Sequence, residues 1–254
     1  MKLIVNVDTT FKRSNAQASE LPKDQKAAVV KGKSFIVDSL ATEKGHYRVV
    51  LNPANLINNM NTWYVFMGHC SVDHEIKEAP NGEVLLDVPY FSQLDNKMYP
   101  YGSCNVTSIA MAMAYLGLSA SGPDQLEDEI QMWVESNGLS RHSPQHLAEA
   151  VKGFGFKDTF VDNANFDEVK AWLRKGFPVV VHGYFTSSGH IVTLVGYNSK
   201  GFIVNDPYGE WYQWGYDRND SSNPAKGKQV LYSYNMMTET CVDSIGMWAH
   251  FISA

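Results

Sequence analysis

Three side chains, far apart in the chain, have the types needed to cut an amide bond. Cys104 stands in Tyr101-Gly102-Ser103-Cys104-Asn105, directly ahead of an apolar run that ends at Gly117. His190 follows Gly189 and opens the run Ile191-Val192-Thr193-Leu194-Val195. Asp206 closes Phe202-Ile203-Val204-Asn205 and precedes Pro207-Tyr208. A thiol attacks a carbonyl only as thiolate, and unpaired N–H groups at a helix N-terminus favour that charge. An imidazole in reach takes the thiol proton and later gives one to the leaving amine. A carboxylate behind the ring fixes its tautomer, here expected through the imidazole Nδ1–H. The tetrahedral oxyanion needs aimed donors, for which the Cys104 backbone N–H and the Gln93 side-chain amide are the candidates.

The surrounding pattern supplies elements able to bring these groups together. Val106, Ile109, Ala110 and Met113 recur at helical spacing, so Cys104 begins a buried helix that Gly117 stops. Further helices are expected over about 124–136, from the Ser143-Pro144 cap onward, and over about 166–175 with an Asn165/Glu168 capping box. Pro178–Tyr184, His190–Tyr197 and Phe202–Asn205 are apolar, β-branched runs and are expected to be strands. The polar turn Asn198–Gly201 makes the last two an antiparallel hairpin. His190 at the start of one strand and Asp206 at the end of its partner then share one end of that hairpin. Asn205 and Asp206 face opposite ways, and the acid is the choice.

Before this region the texture is different. Leu3–Val7, Ser34–Asp38, Tyr47–Leu51 and Trp63–Met67 are short β-rich runs separated by polar segments, as in a small barrel, and Glu78–Glu83 has the composition of a hinge. The expected organisation is a β module over residues 1–80 and an α+β domain over 84–254.

On four motifs in order, the chain resembles the papain-like cysteine peptidases. These are Asp87–Gln93, Gly102-Ser103-Cys104, Gly189-His190 and Val204–Gly209. The nearest branch is that related to the bacteriocin leader (double-glycine) peptidases. The resemblance covers about residues 84–210. It implies Gln93, Cys104, His190 and Asp206 as oxyanion donor, nucleophile, base and orienting acid. It also implies a helix carrying the cysteine packed on an antiparallel sheet, with no cofactor. By strand pattern alone, residues 1–80 resemble a bacterial SH3-like module. Papain-like domains joined to such modules resemble phage endolysins and bacterial cell-wall lysins, so peptidoglycan is the expected substrate. The alternatives are an intracellular protein-processing peptidase, a transpeptidase, or a non-catalytic binding module on the same fold.

Bulk properties agree. The chain has 254 residues, 44% hydrophobic and 19% charged, enough for a sizeable core. A net charge of −6 without a basic cluster gives no footprint for nucleic acid. There is no apolar run long enough to span a membrane and no secretory signal, so a monomer made in the cytoplasm is expected, acting on the cell wall after release. Three cysteines, Cys70, Cys104 and Cys241, make a poor disulfide framework.

Other chemistry-bearing residues have blander expectations. His69, Cys70 and His74 form one flank of a metal site with nothing to complete it, and no metal is expected. His182 is the rival base but lies in an apolar run without a following acid. Cys241 and His250 are expected in the core, the latter on a closing strand at Trp248–Ile252. Tyr208, Trp211 and Trp214 are candidates for a substrate cleft. Asp217, Asn219 and Asp220 hint at calcium-loop spacing but fit a solvated loop better.

Overall fold

The computed structural model describes residues 1–73, 82–217 and 225–254. His74, Asn219 and Asp220, and most of the hinge and of the polar loop, lie outside the described residues. The chain forms two compact units. One holds Met1–Glu75 with Gly117–Ser119 and Ala254, the other Ile76–Leu116 and Ala120–Ser253.

The first unit is built from β1 (Lys2–Val5), β2 (Thr9–Lys12), β3 (Lys26–Val29), β4 (Ser34–Glu43), β5 (His46–Leu51), β6 (Thr62–Phe66) and β7 (Cys70–Asp73). Period-two alternation does the work here: Tyr47, Val49 and Leu51 of β5 and Trp63 and Val65 of β6 point inward. With Leu3 and Phe11 they make a separate hydrophobic core. The strand order is β3-β2-β6-β5-β4-β1-β7, and neighbours pair antiparallel. The long β4 pairs first with β1 and then, around an irregularity between Val37 and Ser39, with β5. Among the described residues β3 and β7 are the ends of the ladder and no pairing joins them, so the strands do not close into the expected barrel. The β-rich runs are present, but pairing partners depend on loop geometry that strand composition does not encode. Cys70 is buried, and burial pushes its thiol up to about 12. His69 lies 2.9 Å from the Thr9 hydroxyl through its Nδ1.

The second unit is α+β. Its elements are β8 (Val84–Leu85), α1 (Cys104–Tyr115), α2 (Leu126–Ser136), α3 (Pro144–Gly153), β9 (Lys157–Ala164), α4 (Phe166–Arg174) and β10 (Val179–Gly183). They continue with β11 (His190–Tyr197), β12 (Gly201–Asn205), β13 (Trp211–Tyr212), β14 (Gly215–Tyr216), β15 (Val230–Ser233), α5 (Tyr234–Cys241) and β16 (Met247–Ser253). The main sheet runs β15-β12-β11-β10-β16-β9, with β8 beside β11. The caps read from sequence hold: Ser143 accepts from the His146 N–H, and Asn165 with Glu168 forms a complete capping box. β9 and α5 were not anticipated, because β9 carries polar residues on both faces and α5 is a short run in which Tyr234, Met236, Met237 and Cys241 alternate irregularly with polar side chains.

β11 is buried along its whole length because both faces are covered. On one face α1 is tied down by hydrogen bonds, Ser108 Oγ donating to the Ile191 carbonyl at 2.9 Å and Thr193 Oγ1 to the Ser108 carbonyl at 3.0 Å. On the other, Val192 and Leu194 join Val169 and Leu173 of α4 in the core. The sheet and its central helix are therefore a rigid frame, and the N-terminus of α1 abuts the start of β11.

Candidate active site

Cys104 is the first residue of α1, so its N–H is one of the four that no intrahelical carbonyl can reach. The preceding Ser103 does not cap the helix with its side chain; its Oγ accepts from Asn96 Nδ2 at 2.9 Å. Cys104 keeps partial exposure, whereas Cys70 and Cys241 are buried.

His190 is placed by the turn before it. Gly189 has φ +83°, the left-handed region that glycine enters freely, and its N–H donates to the Thr186 carbonyl while Thr186 Oγ1 donates back to the Gly189 carbonyl. The chain thus enters β11 sharply, with the imidazole at the sheet end. In the β11–β12 hairpin Thr193 opposes Asn205, so the next residue, Asp206, falls on the same side as Val192 and His190. His190 Nε2 and Asp206 Oδ1 are 2.8 Å apart. Asn205 turns the other way, donating to the Val88 and Pro89 carbonyls and accepting from the Gln229 N–H.

The ring orientation differs from the sequence expectation. The far ring nitrogen, Nε2, meets the carboxylate, because Asp206 is fully buried and the imidazole must insert end-first to reach it. This leaves Nδ1, nearer the backbone, turned away from the carboxylate, and the charge and hydrogen bonding of the ring act on the Cys104 thiol.

Asp206 is held from all sides. Oδ1 also accepts from the Tyr208 N–H at 2.9 Å, and Oδ2 accepts from Tyr216 at 2.9 Å and Tyr232 at 2.7 Å. Four incoming hydrogen bonds are the pattern of an acceptor-only, ionised carboxylate. Its backbone is fixed too: its N–H donates to the Gly227 carbonyl and its carbonyl accepts from Tyr90 Oη. Gly227 is obligatory in this approach, since a Cβ there would lie 1.9 Å from the Asp206 carbonyl oxygen. The rings of Phe185, Tyr208 and Tyr216 stand edge-on around His190, with centroids 6.0, 6.2 and 5.6 Å away.

The electrostatics favour an ion pair. Burial raises the Cys104 thiol, but the His190 charge and hydrogen bond, with a further bond from the Ile191 N–H, outweigh it and the net shift is downward. Burial lowers His190, yet the charges of Asp206 and Cys104 and their hydrogen bonds reverse this, and the net shift is upward. Opposite shifts on touching groups stabilise thiolate with imidazolium.

Residues 85–242 match the Peptidase_C39 like family model, well over half the chain. The chain belongs to the Peptidase_C39 like family. It is a cysteine peptidase. Two solved structures show a distant likeness. One, a double glycine motif protease from an AMS/PCAT transporter in complex with the leader peptide, is 17% identical, with a TM-score of 0.44 over 66% of this chain and 93% of that one. The other, a putative C39-like peptidase from Bacillus anthracis, is 16% identical, with a TM-score of 0.38 over 68% and 97% of the two chains. No curated protein matches the peptidase.

Cys104 and His190 open into a cavity of about 710 Å³ that Gln93 and Tyr208 also line. Gln93 is buried, its N–H donates to the Pro207 carbonyl, and its Nε2 donates to the Pro100 carbonyl at 3.0 Å. One hydrogen of that amide is thereby used and one remains. Among the described residues, neither Trp211 nor Trp214 lines the cavity. Trp211 donates from Nε1 to the Phe185 carbonyl and packs on its ring, while Trp214 is 70% exposed and stacks on Tyr212. Sequence reasoning missed Tyr216 and Tyr232. Tyr232 lies inside the short strand β15 and left no signal, but Tyr216 sits in the aromatic cluster after Asp206. Tyr101 and Tyr184, 80% and 77% exposed, stand at the cavity. Cys241, in its wall, is pushed up to about 12 by burial. No helix of the described residues is long and apolar enough to cross a membrane.

Proposed function

We propose that the peptidase hydrolyses a peptide amide through a Cys104–His190–Asp206 triad and a thioester. The observation that carries this reading is Cys104 at the cavity beside an imidazole that lowers its thiol, with that imidazole held 2.8 Å from a carboxylate that has four donors. Cys104 Sγ adds to the scissile carbonyl while the oxyanion turns to the α1 N-terminus and the remaining Gln93 N–H. Collapse of that adduct breaks the C–N bond as His190 Nδ1 passes its proton to the leaving amine. Water then attacks the thioester, giving its proton to His190, and the carboxylic acid leaves as the thiol is restored. Asp206 keeps the ring oriented and stabilises its positive charge.

For the substrate, the two-unit organisation supports a peptide of the bacterial cell wall, with residues 1–80 as a β-rich holding module. Purified sacculi and casein are to be offered in parallel and the products weighed by mass spectrometry. Soluble muropeptides released by the wild type and not by Cys104→Ala or His190→Ala would support the reading. Cleavage of casein alone would replace the substrate with protein, and full activity in Cys104→Ala would overturn the mechanism.

A further inference from the structure

A second buried chain of hydrogen bonds ends in the same cavity and takes no part in the chemistry above. Asp158 of β9, His250 of β16 and His182 of β10 lie on three neighbouring strands and on one face of the sheet. Asp158 Oδ2 and His250 Nδ1 are 2.8 Å apart, and His250 Nε2 and His182 Nε2 are 3.0 Å apart. Asp158 and His250 are fully buried side chains, whereas His182 is half-buried and lines the cavity with Trp248. Across the strands His182 is paired with Ile191, whose N–H bonds the Cys104 sulfur. His182 and Cys104 thus line the same cavity from adjacent strand and helix.

The order of atoms admits one polarity that presents an acceptor to the cavity. With Asp158 accepting, His250 Nδ1 donates to it, and a singly protonated His250 ring offers a lone pair at Nε2. His182 must then donate from Nε2, which leaves its Nδ1 as an acceptor. Burial, and next the neighbouring His250, push His182 down to about 3, so the ring stays neutral. Among the described residues no donor reaches that Nδ1. The ring is clamped by Phe160, Trp248 and His250, with centroids 6.0, 5.9 and 5.2 Å away, so it is preorganised rather than free to turn.

We propose that the Asp158–His250–His182 chain is a specificity device, presenting a fixed hydrogen-bond acceptor that selects a substrate residue carrying a donor, hydroxyl, carboxamide or ammonium, beside the scissile bond. This rests on the thiol-hydrolase reading of Cys104. A site built to pair one polar group discriminates against analogues lacking it, because its own polar atom is left unmatched. Glu239 and Asp243, on the same cavity wall, add acceptors and favour the ammonium form.

The test uses the full chain and acetyl-dipeptidyl chloromethyl ketones that differ at one residue. The pairs are lysine against norleucine and serine against 2-aminobutyrate, placed at each of the two positions nearest the warhead. The readout is the second-order rate of Cys104 alkylation. At one of the two positions the donor member should react about tenfold faster. In His182→Phe the ratio should fall to within about twofold, and His250→Phe, which frees the tautomer of His182, should reduce it. Equal rates in the wild type, or a preference that survives His182→Phe, would overturn the proposal. If neither variant folds, long-range nitrogen–proton correlation spectra of the wild type at mildly alkaline pH decide it. Protonation of His182 at Nε2 alone is expected, and protonation at Nδ1 would refute it. Rapid alkylation of Cys104 by every reagent without discrimination sinks this inference and leaves the hydrolase intact, whereas no alkylation at all sinks the hydrolase.

Discussion

Replacing Asp206 by asparagine removes one charge and almost nothing else, which makes it the sharpest probe of how the thiolate is maintained. The carboxylate oxygen is 2.8 Å from His190 Nε2 and the charge centres are somewhat further apart. At about 4 Å and an effective dielectric of about 20, their attraction is worth about 4 kcal/mol. Asparagine keeps an acceptor for the ring N–H, and the Tyr216 and Tyr232 hydroxyls can turn to accept from its amide, so most packing and hydrogen bonding survive. The loss falls on the imidazolium. At 1.36 kcal/mol per unit, its basicity should drop by about 2 to 3 units. Because the thiolate is stabilised mainly by that imidazolium, the pair should revert to neutral thiol and neutral imidazole near neutral pH. The assay is the thiolate absorbance difference between wild type and Cys104→Ser, titrated against pH, then repeated in the Asp206→Asn background. The wild type should show thiolate well below the ordinary thiol range, and the variant should lose most of it near neutrality. An unchanged titration curve would mean that Asp206 does not support the His190 charge, and the electrostatic reasoning would fail.

Four further outcomes are expected. Turnover against pH should be bell-shaped: it rises through the lowered thiol value of Cys104 and falls through the raised imidazole value of His190, so the alkaline limb lies above the ordinary histidine value of about 6.5; an alkaline limb below it would count against the pairing. Tyr232→Phe removes a buried hydrogen bond to a carboxylate and should cost about 1.5–3 kcal/mol in urea unfolding of the second unit. Trp63→Ala empties the centre of the first unit and should destabilise it by about 3–5 kcal/mol, read as a shift of its own denaturant transition with Cys104 reactivity retained. Gln93→Ala should lower kcat by about 10²–10³, with KM little changed, if its free amide hydrogen meets the oxyanion; an effect under threefold would remove Gln93 from that role.

Much of the site was legible because it depends on local rules. A cysteine ahead of an apolar periodic run is placed at a helix start by periodicity alone. A short turn between two β-branched runs fixes a hairpin, and strand alternation then separates Asp206 from Asn205. What was hidden depends on long-range pairing. Tyr216 reaches Asp206 from a two-residue strand, and Tyr232 from a strand paired on the far side of β12. The choice between Nδ1 and Nε2 turns on the depth at which Asp206 is buried, which sequence spacing does not carry. The acid behind His182 was missed for the same reason: it reaches that ring through His250, from β9 and β16 rather than from a neighbouring residue. In the first unit the strands were visible but their open order was not, since β4 divides its pairing between β1 and β5.

The three cysteines allow the central claim to be measured within one molecule. Native protein is to be treated with iodoacetamide at about pH 6, where ordinary thiols are mostly protonated, and the rate at each cysteine followed by peptide mapping. Cys104 should be alkylated stoichiometrically while Cys70 and Cys241, whose thiols burial raises, stay unmodified, and His190→Ala should slow Cys104 markedly. Labelling of Cys104 as slow as that of a free thiol, or undiminished in His190→Ala, would contradict the account.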